Sequence, residues 1–266
     1  MIRRFSVALL LATLAAPAFG WGEPGHKIVA TLAQKQLRPA TRQRALAMLN
    51  GMSFALVAKT PDDFRTVNGA RTTDRWHFVD AIVTNEDVDL AADCRFSDCV
   101  VAQIDKMKAI VANEDEKPEV RREALIYLIH FVGDIHQPFH ASFRMQDGKE
   151  DRGANSVKLK FRNRDTSLHG FWDTGLIGTR ALSTNDYVEH LEDDVLPDLA
   201  DGSNGGTPEE WANESHDITR ENGVYLHNGD TVSESYVTTN LPKADRQLAL
   251  AGIRLAKLIE DALGPN

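Results

Sequence analysis

One stretch in the middle of the chain, residues 121–132, limits the possible folds more than any other. It is apolar on almost every side of a helical projection, through Ala124, Leu125, Ile126, Leu128, Ile129, Phe131 and Val132. A helix without a continuous polar face has to be covered by other parts of the protein, and Pro138 prevents it from continuing in regular helical form. We therefore expect a central, buried helix that ends before Pro138.

Helical spacing of apolar residues also recurs near both ends of the chain. Residues 27–37 place one apolar face along a helix, formed by Ile28, Val29, Leu32, Ala33 and Leu37. Pro39 suits the first turn of a second helix, which Asn50-Gly51 can close. The C-terminal repeat runs up to Gly264-Pro265 and consists of Leu248, Leu255 and Ile259.

Strand signals are sparse by comparison. Residues 156–162 (Ser-Val-Lys-Leu-Lys-Phe-Arg) alternate as a short strand does, whereas residues 142–154 form a charged, glycine-containing segment typical of a loop. Residues 202–208 have the composition of a surface loop, and no internal repeat or linker divides the chain. The expected fold class is mostly α, a single domain over residues 21–266 with a short β-hairpin or strand pair.

The first twenty residues have the pattern of a signal peptide. Arg3 and Arg4 precede an apolar run over residues 5–16, and Ala18-Phe19-Gly20 offers small residues where a signal peptidase cleaves. The apolar run is too short to span a bilayer comfortably. We expect residues 1–20 to be removed, so that the mature protein begins at Trp21, is exported to the periplasm or medium, and does not associate stably with a membrane.

The charge of the chain restricts its substrates. The 30 basic and 39 acidic residues give a net charge of −9, and without Arg3 and Arg4 the remaining 28 basic and 39 acidic residues give −11. Such a surface repels polyanions at long range, so a nucleic acid could be held only by strong local positive charge, which metal ions can supply. Cys94 and Cys99 are the only cysteines, and export makes a local disulfide between them the expected arrangement.

Two pairs of histidine and aspartate have the same spacing. His130 and Asp134 are four residues apart on the buried helix, roughly 6 Å along its axis, so both side chains leave one face. His169 and Asp173 repeat this spacing on a second predicted helical turn, and His140 follows Pro138. A single buried histidine is more often a hydrogen-bonded core residue, and such pairs are more often surface contacts. An unpartnered carboxylate on a buried helix is costly, however, so spacing alone leaves metal ligation and a structural role both open.

Two segments without regular patterning add further candidate ligands. Asp62 lies in Thr-Pro-Asp-Asp-Phe-Arg, and His77 lies in Trp-His-Phe-Val-Asp. Imidazole and carboxylate together form a ligand set that suits zinc, and a site with an incomplete protein ligand set keeps a position for water or substrate.

Together these residues resemble the motifs of one enzyme family. The series consists of Trp21-Gly22-x-x-Gly25-His26, Asp62-x-Phe64-Arg65, His77-Phe78, His130-Phe-Val-Gly-Asp134-x-x-Gln137-Pro138-x-His140, Gly153-Ala154-Asn155 and Leu168-His169-x-x-Trp172-Asp173. In order and spacing it is similar to the zinc-dependent single-strand-specific nucleases of the mung-bean type, within the phospholipase C/nuclease superfamily. The resemblance implies a zinc-dependent nuclease domain over residues 21–266.

The resemblance also implies a fold and a set of metal ligands. The fold would be the helical domain shared with bacterial zinc phospholipase C, with three zinc ions in a cleft. One zinc would be held by Asp62, His77, His130 and Asp134. A second would be held by the Trp21 amine and carbonyl, His26 and a bridging Asp134. The third would be held by His140, His169 and Asp173.

The implied reaction is in-line hydrolysis of phosphodiester bonds in single-stranded DNA and RNA to 5′-phosphorylated products, with 3′-nucleotidase activity. Asp62 and Asp134 would hold the ions that activate water, Arg65 would contact the phosphate and Asn155 would assist. Phe78 would stack on a base whose edge Asp80 would contact, which favours unpaired strands. We expect single-stranded nucleic acid and 3′-nucleotides as substrates and a monomeric protein.

Some features depart from the family pattern and keep alternatives open. Thr60 stands where the family commonly has Trp, Ala154 replaces a Gly, and the chain has fewer cysteines than fungal members. The first alternative is a zinc-dependent phospholipase C, although that branch resembles His-x-x-x-Glu where this chain has His169 and Asp173. The second is a non-catalytic secreted zinc-binding protein, for which closed metal sites would be expected.

Overall fold

The computed structural model describes residues 21–65 and 73–264. The predicted signal peptide, residues 1–20, lies outside the described residues. The described helices are α1 (Glu23–Gln36), α2 (Pro39–Met48), α3 (Phe54–Val57), α4 (Thr60–Phe64), α5 (Leu90–Asp93), α6 (Val100–Ala112), α7 (Pro118–Ile135), α8 (Leu168–Gly170), α9 (Thr184–His190), α10 (Pro208–Arg220) and α11 (Glu234–Leu263). Short 3₁₀ turns cover Asp74–His77, Arg95–Ser97, Pro138–His140 and Leu196–Asp198, and π-helical segments cover Phe171–Leu176 and Leu191–Val195.

The apolar stretch around residues 121–132 is confirmed as a central helix. Helix α7 begins at Pro118, which supplies a preset backbone angle at the first turn, and ends at Ile135, before Pro138. Its C-terminal half is buried on all sides, and it packs against α1, α4, α6 and α11. Because α7 is covered all round, polar side chains on its last two turns are held inside the protein.

Helices α1 and α11 form the second main contact of the core. They approach closely at Gly252, where an added Cβ would come within 2.5 Å of Leu32 Cδ2. The predicted C-terminal helix is longer than its clearest repeat: α11 spans 30 residues, includes Pro242 and ends before Gly264. Helix α2 begins at Pro39 as predicted, and the chain reverses after it through left-handed backbone at Asn50 and Gly51.

The β-structure consists of two antiparallel strand pairs in the part of the chain that the structure describes. The predicted strand is confirmed as β3 (Lys158–Phe161), which pairs with β4 (Arg164–Ser167). Residues 142–154, expected to be only a loop, contain the small hairpin of β1 (Met145–Gln146) and β2 (Lys149–Glu150). Strands β1, β2 and β4 are short and largely exposed, so they lack the apolar alternation that predicted β3.

The fold is therefore mostly helical, as expected. The predicted disulfide between Cys94 and Cys99 is present, with the two Cα atoms 5.2 Å apart. Among the described residues, none of the helices has the length and apolar character needed to cross a membrane.

Candidate active site

Three groups of buried histidines and aspartates lie together at the C-terminal end of α7. Each group offers ligand atoms within 4.8 Å of one another, a spacing that could accommodate a metal ion. The groups are His26, His130 and Asp134; Asp62, His77 and His130; and His140, His169 and Asp173. All the predicted metal-ligating side chains are thus brought together from five separate regions of the sequence.

Asp134 lies between these groups. Its Oδ2 is 2.9 Å from Nδ1 of His77 and 3.1 Å from Nε2 of His130. Its Oδ1 is 3.4 Å from Nε2 of His26 and 3.6 Å from Nδ1 of His140. One carboxylate therefore contacts four imidazoles, and its two oxygens face different groups.

The histidine and aspartate from the irregular segments are positioned by the backbone. Asp62 lies in the first turn of α4, which packs on α7, and its Oδ1 is 3.6 Å from Nε2 of His130. His77 ends a 3₁₀ turn, after which Val79 donates a backbone hydrogen bond to the carbonyl of His140 (2.8 Å). This bond ties two of the groups together through the main chain.

The third group rests on a distorted helical turn. His169 lies in α8, capped by the hydroxyl of Ser167, and Asp173 lies in the π-helical segment that follows. Their Nε2 and Oδ2 atoms are 3.5 Å apart, and Gln137 donates a hydrogen bond to Oδ1 of Asp173 (2.5 Å). The helical turn predicted for this pair is present, but it is wider than a regular α-helical turn. Such π-helical segments are frequent at functional sites.

Three histidines have a tautomer that suits metal ligation. Nδ1 of His130 donates to the carbonyl of Ala58 (2.7 Å), that of His140 to His77 (2.5 Å), and that of His169 to Gly153 (2.6 Å). Because a carbonyl oxygen can only accept, Nδ1 carries the proton, and in the neutral ring Nε2 keeps its lone pair. Metal-ligating histidines are usually oriented by this kind of contact.

Several buried polar atoms fit a cation in the same way. Both carboxylate oxygens of Asp62, and Nε2 of His77 and of His140, are buried without a hydrogen-bond partner among the described residues. Leaving such groups unsatisfied costs about 1–3 kcal/mol each, and more when they are charged. A divalent ion bound by these atoms would remove that cost, so the residues present fit the metal centre that the motifs imply.

The surroundings favour neutral rings at His77 and His140 and an ionised central carboxylate at Asp134. Burial lowers the pKa of His77 and of His140 to about 3, although Asp134 opposes the shift. Burial alone would raise the pKa of Asp134, but the imidazoles of His130 and His77 outweigh it and hold that pKa well below its ordinary value. Burial also raises the pKa of Asp173 well above its usual range. The two carboxyl groups therefore differ, since the pKa of Asp134 is lowered and that of Asp173 is raised. A bound cation would favour the ionised form of both.

The metal-ligand groups open into a cleft of about 240 Å³ that contains the predicted substrate residues. Arg65, Phe78, Asp80 and Asn155 all line it, together with His140 and His169. Arg65 is 6% exposed, and its guanidinium lies 3.5 Å from Asp62 Oδ1 and 3.4 Å from Asp74 Oδ1. The arginine is therefore held in one orientation beside the ligand groups.

In the same cleft, Arg75 organises two of the predicted substrate residues. Its guanidinium lies 5.8 Å from the centre of the Phe78 ring and 3.4 Å from Asp80 Oδ2. Burial raises the pKa of Asp80 to about 6, and the charge of Arg75 opposes this shift. Arg75 was not among the residues singled out from the sequence, because an isolated arginine carries no motif.

Trp21 is fully buried next to these groups. The residue after it, Gly22, donates a backbone hydrogen bond to the carbonyl of Asp173 (3.0 Å), and His26 follows in the first turns of α1. The start of the described chain therefore lies against the third group, while α1 carries His26 into the first.

Sequence reasoning missed the structural role of two residues beside the ligands. An added Cβ on Gly133 would lie 2.8 Å from Nδ1 of His26, so the glycine makes room for the imidazole. Ser142, which lines the cleft, shares a buried hydrogen-bond network with His216 and Thr219 (2.7 and 2.8 Å). The glycine inside a buried helix was a signal for the first, since glycine there is unfavourable without a packing reason. The second depends on contacts between distant segments.

Comparisons with known proteins agree with this arrangement. The family model described as S1/P1 nuclease matches residues 21–264. Endonuclease 3 of Arabidopsis thaliana is 28% identical over 284 residues, covering 96% of this chain and 93% of the relative. Nuclease P1 of Penicillium citrinum is 28% identical over 272 residues, covering 92% of this chain and 98% of the relative. Nuclease S1 of Aspergillus oryzae is 25% identical, covering 98% of each chain.

The contact between Gly133 and His26 leads to a prediction. Replacing Gly133 by Ala should displace the His26 ring, because the new methyl group would overlap Nδ1, and should weaken binding of a metal ion at this group by about tenfold. Equilibrium dialysis against buffered zinc measures the change. Gly178→Ala is the matched control, since a Cβ there meets nothing within 4 Å. Unchanged zinc binding in Gly133→Ala, equal to that of Gly178→Ala, would contradict the prediction.

Proposed function

The chain belongs to the S1/P1 nuclease family, and from this premise we propose that it is an exported, zinc-dependent endonuclease acting on single-stranded DNA and RNA. The products carry 5′-phosphates, and the enzyme also removes phosphate from 3′-nucleotides. The proposal rests on one observation: three buried ligand groups lie beside a cleft that is lined by Arg65, Phe78 and Asp80. The protein acts as a monomer in the periplasm or medium.

The ligand groups would hold three zinc ions. Asp62, His77, His130 and Asp134 hold one ion, and His26, the Trp21 amine and carbonyl and the shared Asp134 hold a second. His140, His169 and Asp173 hold the third. Zinc ions bound in this way supply Lewis-acid activation of water and of the phosphodiester. The choice of zinc rests on the donor set, which combines imidazole nitrogen with carboxylate oxygen and uses no sulfur.

Arg65 provides the contact to the phosphate. Its planar guanidinium offers several parallel N–H donors, which suit the oxygens of a phosphoryl group. Asp62 and Asp74 orient it, so little side-chain freedom remains to be lost when substrate binds. Asn155 lies across the cleft, where its Nδ2 donates to the carbonyl of Arg152 (2.9 Å) and its amide oxygen is left for a second contact to substrate.

Phe78 and Asp80 provide the contact to a base. Phe78 stacks on the base, and the Asp80 carboxylate accepts hydrogen bonds from amino groups on its edge. Arg75 holds both side chains from the rear of this subsite. Stacking on an aromatic ring tolerates any base sequence, but it requires a base that is not stacked within a nucleic-acid double helix. This requirement supports a preference for single strands. The acidic surface of the protein adds repulsion of duplex DNA.

A panel of substrates tests this proposal. The protein beginning at Trp21 and loaded with zinc should cleave single-stranded DNA and RNA to 5′-phosphorylated products, and a chelator should abolish cleavage because the buried ligands need their ions. Duplex DNA should be cleaved at least about tenfold more slowly, since its bases remain stacked. Release of diacylglycerol from phosphatidylcholine, with nucleic acid left intact, would instead identify a phospholipase C, and no turnover of any substrate would favour a non-catalytic zinc-binding protein.

Two substitutions separate metal binding from phosphate binding. Asp134→Ala should lose two zinc ions and about 10⁴-fold in turnover, because one carboxylate serves two ligand groups. Arg65→Ala should keep all its zinc and lose about 10²-fold in kcat/KM. Metal analysis by mass spectrometry and steady-state kinetics measure both effects. Asp217→Ala, at an exposed residue paired with Arg220, is the control and should change neither zinc content nor turnover. An Asp134→Ala protein with full zinc and full activity would refute the assignment of Asp134 as a shared metal ligand.

The Trp21 amine leads to a third prediction. A peptide-bonded nitrogen has no lone pair to give to a metal, so a precursor that still carries residue 20 cannot complete the second ion's ligand set. A purified form with one additional residue before Trp21 should therefore bind one zinc ion fewer and lose most of its activity. The form beginning at Trp21, prepared in parallel, is the reference. Full zinc content and full turnover in the extended form would show that the amine is not a ligand.

A further inference from the structure

One aromatic side chain near the cleft has no role in the proposed binding of metal or substrate. Phe96 is 99% exposed, more than any other large apolar side chain among the described residues. It lies at the tip of the short loop between Cys94 and Cys99, which we call the clip loop. A phenylalanine ring held entirely in water forgoes a large gain from burial.

The backbone of the clip loop makes this placement more unusual. Phe96 and Ser97 have φ angles of 61° and 57°, in the left-handed region that bulky residues rarely adopt. Glycine or asparagine would suit such a position by conformation, and a polar residue would suit it by solvation. Phenylalanine satisfies neither preference. Strained residues of this kind persist where the surroundings hold them, and they cluster at binding sites.

Several contacts attach the clip loop to the rim of the cleft. Asp98 accepts a hydrogen bond from the indole of Trp76 (2.8 Å), and its Oδ2 lies 3.6 Å from Nε of Arg75. Val100, just after the loop, donates its backbone N–H to the carbonyl of Phe78 (3.0 Å). Phe96 is two residues from Asp98, at most about 7 Å along the chain. The clip loop, which carries the exposed ring, is therefore attached beside the wall that contains Phe78 and Arg75.

We propose that Phe96 is a second stacking platform for the substrate, which binds a base further along the strand than the two nucleotides joined by the cleaved phosphodiester. This inference rests on the proposed nuclease function and deepens it, because it assigns the enzyme an extended site for a single strand. A base has an apolar face that any aromatic ring can cover. Arg95 and Lys106 are exposed near the same rim, and they supply positive charge for the phosphates between the two bases.

Such a platform acts only on substrates long enough to reach it. The Phe96→Ser variant should show about a tenfold higher KM for a twelve-nucleotide oligothymidylate, with kcat unchanged. Its kcat/KM for a dinucleotide should stay within about twofold of the unmodified enzyme. Phe96→Tyr should restore the KM for the longer substrate, because the ring is what stacks.

The controls separate this inference from loss of structure and from the proposed function. Leu182→Ser removes an apolar side chain that is also exposed, at 43%, but lies outside the cleft, and it should change neither KM. Thermal unfolding should be the same for all variants. An unchanged KM of Phe96→Ser for the twelve-nucleotide strand, with normal dinucleotide cleavage, would overturn the platform alone. If the unmodified enzyme cleaves neither substrate, the nuclease proposal itself fails.

A direct binding measurement completes the test. In the zinc-loaded Phe96→Trp variant, tryptophan fluorescence should be quenched more than in the zinc-loaded unmodified enzyme when an oligothymidylate with hydrolysis-resistant linkages binds; equal quenching of the two proteins would contradict the inference. Sedimentation with phosphatidylcholine vesicles is the opposing measurement. Vesicle binding that the Phe96→Ser substitution abolishes would show that Phe96 enters a lipid surface, and it would overturn the inference.

Discussion

The fold depends on the placement of one carboxylate, Asp134, on the last turn of α7, whose C-terminal half is buried on all sides. It is fully buried and lies within 3.6 Å of ring nitrogens of four histidines. A buried charge requires compensation nearby, so the segments that carry those histidines have to converge on the last turn of α7. Convergence of α1, the turn at His77 and the turn at His140 follows from this requirement.

Contacts with the backbone orient the converging histidines, so that they form a defined set of ligands. Backbone carbonyls of Ala58, His77 and Gly153 each fix the proton of one imidazole on Nδ1. In the neutral form of each ring, Nε2 then keeps its lone pair for an ion. A metal centre built in this way is preorganised before any ion enters it.

The same arrangement explains how an acidic protein can act on a polyanion. The net charge of −9 opposes binding at long range, so attraction has to come from a few local charges. Arg65 and Arg75 both line the cleft and are each held by two carboxylates. In the proposed function the ions add the remaining positive charge, and aromatic stacking supplies binding that does not depend on charge.

The sequence by itself determined the elements whose signal is local. The central helix, the pairing of His130 with Asp134 on one face, the short strand at residues 156–162 and the disulfide were all predictable, because helical and strand periodicities and near neighbours act over a few residues. The motif series also predicted the histidines and aspartates that lie together in the three buried groups. Only the tertiary structure decided how they meet. The bond from Val79 to the carbonyl of His140, the space at Gly133 for His26, and the pairing of polar β4 with β3 all join segments far apart in sequence. Such contacts depend on the packed backbone and leave no periodic trace in the chain. The exposure of Phe96 is of the same kind, since burial is a property of the folded protein, whereas residue type alone would have placed that ring in the core.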